Sequence, residues 1–278
     1  MNVDDAFNRL RSSMVGLYSD REATIIAGYL IEDLLHLPKH SMQALNSLQF
    51  DLIEDAGRRL ALGEPWQYIT GEADFYGLKF YVDQSVLIPR PETEELVDLA
   101  MGYIRAKQLS SILDIGTGSG IIPVAIGKKL TFLNQIYAVD ISEAALALAE
   151  RNAHRHSVNV SFQVCDILDE NGWLQLPQIE VVISNPPYIT RSEQESMHKN
   201  VLDYEPHLAL FSDTSEQFYD AISRMVVEHQ MPGCCVVFEI NEHYAHQIVE
   251  VITKNGLQNV QVHKDMQGKD RMITAIKP

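Results

Sequence analysis

The chain has 278 residues, 46% of them hydrophobic, with a formal net charge of −16. That length and apolar content suit two modest domains with real cores and exclude a disordered chain. The acidic balance argues against a phosphate-backbone partner: Arg58-Arg59 and Lys128-Lys129 are isolated pairs, not a basic patch.

In chain order, Met1–Arg11 is polar and lacks the apolar run of a signal peptide. No stretch approaches the ~20 apolar residues of a membrane helix, so a cytoplasmic protein is expected. Of the three cysteines, Cys234 and Cys235 are adjacent within an apolar run; with Cys165 they read as reduced core residues, not a disulfide or metal framework. Residues 1–73 read as a helical domain. Asp20 is placed to cap a helix carrying Ile25, Ile26, Tyr29, Leu30 and Leu34, ended by Pro38. Ser41 is placed to cap a second, with Leu45, Leu48, Leu52, Ile53, Ala56 and Leu60 on its stripe and Gly63 and Pro65 beyond its end. Residues 74–91 form a hairpin and linker: Phe75–Val82 is aromatic and β-branched around Gly77, and Pro89 and Pro91 impose an extended approach to a helix near Glu92.

From residue 92 to 278 strands and helices alternate. The strands are Ser111–Ile115, Gln135–Asp140, Val160–Cys165, Ile179–Ser184 and Cys234–Ile240, with helices Ile121–Lys129, Ser142–His156 and Glu216–His229 between them. A helix Glu242–Asn255 follows, then strands Gln258–Lys264 and Arg271–Lys277, which can pair across Gly268. The rhythm predicts an α/β fold with a mostly parallel sheet.

Leu113-Asp114-Ile115-Gly116-Thr117-Gly118-Ser119-Gly120 ends the first of these strands and opens a helix. Glycines there admit a ligand close to the backbone. Asp140 ends the next strand, 20 residues beyond Gly120, where an acid can accept both ribose hydroxyls; Asp166 ends the third. One such turn alone is often just a tight connection, but the ordered set at three strand ends points to a nucleoside cofactor. NAD is the first rival, but its third glycine would fall at Ile121. The G-x-G-x-G spacing instead resembles the S-adenosylmethionine (AdoMet) loop of class I methyltransferases, and AdoMet has no pyrophosphate needing a helix N-terminus.

The apolar run Val181–Ser184 leads into Asn185-Pro186-Pro187-Tyr188. A strand stopped by prolines is the plain alternative, outweighed by the position beside the cofactor loop. A planar amide or amino nitrogen is a poor nucleophile, and methyl transfer is an in-line displacement. The Asn185 side-chain oxygen and the Pro186 carbonyl can hold both hydrogens of an NH₂ group and aim its nitrogen at the methyl carbon. The prolines stiffen the turn, and orientation of this kind contributes on the order of 7–11 kcal/mol. Tyr188 can stack on the planar group. No histidine base is required; His243 and His246 share a helix face and read as solvated, and no metal is expected.

Asn-Pro-Pro-Tyr serves both adenine- and glutamine-methylating enzymes. The flanking segments Gly63–Gly71 (GEPWQYITG), Leu87–Glu94 (LIPRPETE), Ile112–Gly120, Asn185–Ile189, Tyr204-Glu205-Pro206 and Gly268–Arg271 (GKDR) resemble the release factor glutamine methyltransferases, the PrmC/HemK family, over nearly the whole chain. The resemblance implies a class I AdoMet-dependent methyltransferase fold, Rossmann-like, with a mostly parallel seven-stranded sheet, preceded by a small all-helical N-terminal domain and a β-hairpin linker. It implies methyl transfer from AdoMet to N5 of the glutamine in the Gly-Gly-Gln motif of class 1 peptide-chain release factors, tuning translation termination. The products would be N5-methylglutamine and S-adenosylhomocysteine. By the same resemblance Gly116, Thr117, Gly118, Ser119, Gly120, Asp140, Asp166, Ile167 and Asn185 contact the cofactor. Asn185, Pro186, Pro187 and Tyr188 line the substrate site, with Asn185, Pro186 and Tyr188 carrying the catalysis. The helical domain is expected to hold the release factor, and the chain to act as a monomer without nucleic acid or membrane. Arg90 keeps two readings: lining the entrance, or pairing with Glu92 or Glu94. Two stretches depart from the family: Ser212–Glu216, where glycines are common, and Asn241, where a glycine commonly follows Glu239-Ile240.

The rivals are an adenine-N6 methyltransferase, which should carry a basic groove, and a binding module that lost activity, which predicts damage at Asp140 or Asn185. The charge argues against the first and the intact residues against the second. A small-molecule methyltransferase is the weakest, since nothing suggests a lid over a free metabolite.

Overall fold

A computed structural model of the chain describes residues 1–39, 41–190, 193–194 and 197–278. The fold separates into two compact units, Met1–Glu72 with Met197–Tyr204, and Ala73–Ser196 with Glu205–Pro278.

The first unit holds helices α1 (Val3–Ser13), α2 (Asp20–Leu35), α3 (Ser47–Ala61) and α4 (Trp66–Thr70), joined by α9 (Lys199–Tyr204) from far along the chain. Three of these helices start at reciprocal capping boxes: Asn2 with Asp5, Ser19 with Glu22, and Asn46 with Gln49. Ser19 and Asn46, not Asp20 and Ser41, are therefore the caps, because only they have a partner three residues on to satisfy the cap's own N–H. The buried stripes also differ from the expected ones. Ile26, Leu30, Ile53 and Leu60 enter the core with Leu10 of α1, whereas Ile25, Tyr29, Leu48 and Leu52 are exposed. Both helices are apolar on more than one face, and α1 selects the face that is buried. Glu64, in the turn after α3, is buried because Arg59 grips it with Nε at 2.7 Å and Nη2 at 2.6 Å. Asn200 of α9 donates to the Tyr18 hydroxyl at 2.7 Å, and the Tyr204 hydroxyl donates to the Leu62 carbonyl at 3.1 Å.

At the start of the second unit is a hairpin of β1 (Glu72–Phe75), whose first residue is the last of the first unit, and β2 (Leu78–Tyr81), turned by Tyr76 and Gly77, both at positive φ. Then come α5 (Pro91–Lys107), β3 (Ser111–Ile115), α6 (Ile121–Lys129), β4 (Gln135–Asp140), α7 (Glu143–His156), β5 (Ser161–Val164), α8 (Glu170–Trp173), β6 (Val181–Ser184) and β7 (Ile189–Thr190). After α9 follow α10 (His207–Leu210), β8 (Phe211–Ser212), α11 (Gln217–His229), β9 (Cys235–Glu239), α12 (Ala245–Lys254), β10 (Gln258–Lys264) and β11 (Asp270–Ile276). Seven strands form one sheet in the order β10-β11-β9-β6-β3-β4-β5, all running in one direction except β11, which is antiparallel to both of its neighbours.

β3, β6 and β9 are buried along their whole length, as strands covered on both faces must be. Their side chains alternate between two cores. Val182, Val236 and Phe238 pack with Ile222, Met225, Ile248 and Ile252 of α11 and α12; Val181, Ile183 and Val237 pack with Leu96 and Ala100 of α5, Ala125 of α6 and Phe80 of β2. Chain connections run outward from β3 to β4 and β5, then return to β6 and β9 on the other side. In such sheets a crevice opens at the strands' carboxyl ends where the direction reverses. No helix among the described residues is long and apolar enough to cross a membrane.

Candidate active site

At those carboxyl ends lies a cavity of about 320 Å³, within the range of small-ligand sites. Its walls include the loop after β3, Asp140 after β4, Asp166 and Ile167 after β5, and Asn185, Pro186 and Pro187 after β6. Gly116, Gly118 and Gly120 all sit at positive φ. The loop is fastened to its neighbour strand: the N–H groups of Gly116 and Thr117 donate to the Val139 carbonyl at 2.9 and 3.0 Å.

Asp140 knits the floor together. Its Oδ2 accepts from Gly118 N at 2.8 Å and its Oδ1 from Ser142 N at 2.9 Å. Each oxygen keeps further lone-pair capacity, so the carboxylate can still accept a diol's two hydrogens. Burial pushes this carboxyl up from its ordinary value, against the pull of those backbone donors. Asp114, one residue before the end of β3, is fully buried, and among the described residues neither of its oxygens nor Thr117 Oγ1 has a partner in full hydrogen-bonding geometry. Burial pushes Asp114 up to about 7, with the nearby Thr117 hydroxyl opposing and Asp140's charge adding to it. Asp140 and Asp166 thus line one end of the cavity, with Asp114 buried beneath the glycine loop, while Arg90, the single guanidinium of its wall among the described residues, is neutralised by Glu205. Ile115, Ile141, Leu168, Phe218 and Ile222 are among the apolar residues of the lining. Such a site suits a nucleoside that carries positive charge better than one carrying a pyrophosphate.

Beyond β6 the chain turns through Asn185–Tyr188. The Ser184 hydroxyl donates to the Ile115 carbonyl at 2.7 Å, tying the start of the turn to the glycine loop. Asn185 Nδ2 donates to Thr93 Oγ1 at 3.1 Å, and the Thr93 hydroxyl donates to Glu239 Oε2 at 2.8 Å. The Tyr188 hydroxyl makes a long 3.4 Å contact with Glu239 Oε1. Tyr219, in the core below, donates to the Glu239 carbonyl at 2.8 Å. Burial raises Tyr188, and the Glu239 charge adds to it, so its hydroxyl keeps its proton.

Gly116, Thr117, Gly118, Ser119, Asp140, Asp166, Ile167, Asn185, Pro186 and Pro187 therefore converge on one cavity. Gly120 and Tyr188 do not line it. Gly120 packs on Ala149 of α7, and Tyr188 lies against Glu239. Arg90 lines the wall but pairs with Glu205, at 2.6 Å, not with Glu92 or Glu94; the Glu94 carboxylate is engaged by Tyr76 N at 2.6 Å. Of the departures from the family, Ser212 belongs to β8, which pairs with β7, and Asn241 donates to Glu193 Oε1 at 3.2 Å. Thr93, Glu239, Asp114 and Glu205 were present in the quoted segments without an assigned role. The signal for Thr93 and Glu205 was their place in segments too specific for a linker; Glu239 offered only an acid at the end of an apolar strand.

Comparison with known proteins agrees with this geometry. A methyltransferase-domain family matches residues 106–264. Release factor glutamine methyltransferase of Flavobacterium psychrophilum is 38% identical over 246 residues, 87% of this chain and 84% of that protein. The protein of the same name from Bacteroides thetaiotaomicron is 37% identical over 273 residues, 96% of this chain and 97% of its own length. Among solved structures, the hMettl16 catalytic domain in complex with the MAT2A 3′UTR hairpin 6 superposes with a TM-score of 0.52 at 16% identity, covering 73% of this chain and 76% of that one. At that identity the likeness speaks for the Rossmann-like methyltransferase fold alone.

Proposed function

The chain belongs to the release factor glutamine methyltransferases, and we propose that it methylates N5 of the Gly-Gly-Gln glutamine of class 1 release factors from AdoMet, with S-adenosylhomocysteine as the second product. The observation that carries this reading is the position of Asn185: it shares one cavity with the glycine loop and Asp140, and its amide nitrogen is already committed to Thr93.

Gly116, Thr117, Gly118, Ser119, Asp140, Asp166 and Ile167 would hold the cofactor, with Asp140 taking the ribose hydroxyls, Asp140 and Asp166 offsetting its positive charge, and Gly120 setting the loop's backbone from outside the cavity. When bound, AdoMet supplies a methyl carbon made electrophilic by its sulfonium. Asn185 Oδ1 and the Pro186 carbonyl accept the two N–H bonds of the substrate amide, favouring a nitrogen that pyramidalises and gains positive charge. Pro187 stiffens the turn and Tyr188 closes the substrate side of it. The methylated nitrogen sheds its extra proton after transfer, so no strong base is required.

In this proposal residues 1–73 recognise the release factor, 74–91 link, and 92–278 carry the chemistry, as a cytoplasmic monomer independent of nucleic acid. Met42, Leu48 and Leu62 of the helical part are exposed and open to a protein partner.

The test uses methyl-labelled AdoMet with an unmethylated class 1 release factor and with the same factor carrying alanine for the Gly-Gly-Gln glutamine. Label on the native factor alone is the expected result. Label on neither, with transfer to DNA or RNA, overturns the reading.

A further inference from the structure

We propose that Thr93 and Glu239 are positioning residues of the transfer reaction: their hydrogen-bond chain holds the Asn185 carboxamide with its oxygen left as the acceptor for the substrate amide. The proposal rests on the function given above and adds two residues that act through Asn185: Thr93, which also lines the cavity, and Glu239, which lies behind it.

A carboxamide has two faces of opposite character, and rotation by half a turn exchanges a donor for an acceptor. Only the oxygen can receive an N–H of a substrate amide. Something must therefore select one orientation. The selection follows from proton bookkeeping along the chain. An ionised Glu239 can only accept, so the single hydrogen of the Thr93 hydroxyl is committed to Glu239 Oε2 at 2.8 Å. The Thr93 oxygen is then left to accept, and what it accepts is Asn185 Nδ2 at 3.1 Å. Asn185 Oδ1 takes no hydrogen bond among the described residues, in a side chain that lines the cavity. Glu239 and Thr93 are 1% and 2% exposed, so water does not compete for these bonds. Neither residue lies near the other in sequence: Thr93 starts α5 and Glu239 ends β9, 146 positions apart. Two elements thus converge behind the turn to orient one amide.

The selection reverses if Glu239 is protonated. A carboxylic acid donates to Thr93, Thr93 then donates to Asn185, and the carboxamide is favoured with its nitrogen toward the cavity, where it repels the substrate N–H. The groups facing Glu239 are Thr93 and Glu92 from α5, Tyr188 from the turn, and Arg271 from β11, with Tyr219 of α11 on its backbone carbonyl. Burial pushes Glu239 up to about 7, the Thr93 hydrogen bond and the Arg271 charge opposing and Glu92 adding to it. The transfer rate accordingly falls as pH drops through that region.

The experiment measures methyl transfer by the full chain to an unmethylated class 1 release factor, first for the unaltered protein. No labelling there overturns the assigned function; labelling there makes every later outcome a test of the chain of bonds. Thr93→Val keeps the shape and removes the hydroxyl. It is expected to lower kcat about tenfold or more, with the KM for the factor and the Kd for AdoMet within about threefold, the pattern of an interaction needed at the transition state. Thr93→Ser is expected to recover most of the loss. Glu239→Gln is expected to lower kcat and to flatten the acid side of its pH profile. A Thr93→Val kcat within about twofold of the unaltered protein overturns the proposal. So does a Thr93→Ser protein as impaired as Thr93→Val, or a Glu239→Gln profile that keeps the original acid limb. Should Thr93→Val fail to fold, the serine variant and the pH profiles decide in the same way.

Discussion

Gly118 and Asp140 are joined across 22 residues by a 2.8 Å hydrogen bond from backbone N–H to carboxylate, which makes the glycine loop and the end of β4 one rigid floor. Replacing Asp140 therefore removes both a ligand for the cofactor and a brace for the loop. Asp140→Ala is expected to weaken AdoMet binding by at least about tenfold, roughly 1.4 kcal/mol, in a calorimetric titration. Unchanged affinity would remove Asp140 from the ribose site.

Gly120 tests the loop's backbone apart from its chemistry. It sits at φ +77° as the residue before α6, and an added Cβ would lie 3.0 Å from the Ala149 Cβ and 3.3 Å from its Cα. Left-handed backbone costs a non-glycine residue roughly 1–2 kcal/mol, and the contact with α7 adds to that. Gly120→Ala is expected to lower the thermal midpoint and AdoMet affinity together, although Gly120 does not line the cavity. A variant with native melting and native affinity would mean that the loop shifts without strain.

Asn185 separates binding from transfer. Asn185→Ala removes the acceptor for the substrate amide while leaving Asp140 and the glycine loop in place. Transfer to the release factor should become undetectable, with the AdoMet Kd changed by no more than about threefold, which is under 1 kcal/mol. Normal turnover by this variant would refute the assigned chemistry.

Much of this was legible in the sequence, and the boundary has a physical cause. β3, β4, β10 and α6 have the limits expected from alternating and helical apolar patterns, because those patterns are local. The convergence of the loop, Asp140 and Asn185 was legible too, since parallel strands deliver their carboxyl ends to one side of the sheet. What stayed hidden depends on pairs far apart in the chain. Arg90 finds Glu205 at a separation of 115, and Asn185 finds Thr93 at 92; no periodicity encodes such a choice. The helical unit erred differently. Ile25 and Ile26, or Leu52 and Ile53, offer adjacent apolar stripes, and only packing against α1 decides which is buried.

The Arg90–Glu205 pair is expected to be structural. Glu205 Oε1 meets Arg90 Nη2 at 2.6 Å, Oε2 accepts from Ile88 N at 3.2 Å, and the carboxylate side chain is 2% exposed. Arg90→Ala strands that carboxylate. Because Arg90 itself is about a third exposed, solvent softens the loss, and a cost of about 1–3 kcal/mol in urea unfolding is expected. Arg90→Lys should restore part of it, since an ammonium keeps the charge but not the planar fork. A native midpoint for Arg90→Ala would assign Arg90 to the entrance alone.

Stability should also depend on pH through Asp114. Its carboxyl is raised to about 7 in the folded chain, against an ordinary value near 3.8. The folded protein then holds a proton that the unfolded one has released, so stability falls as pH rises from the ordinary carboxylate range through about 7. One such group contributes a slope of at most about 1.4 kcal/mol per pH unit. Glu239, raised to about 7 by burial, adds in the same direction. Urea midpoints measured between about pH 5.5 and 8.5 should therefore decline for the unaltered protein, and Asp114→Asn, which cannot ionise, should decline less. Equal slopes for the two proteins would mean that Asp114 is ionised in the fold throughout.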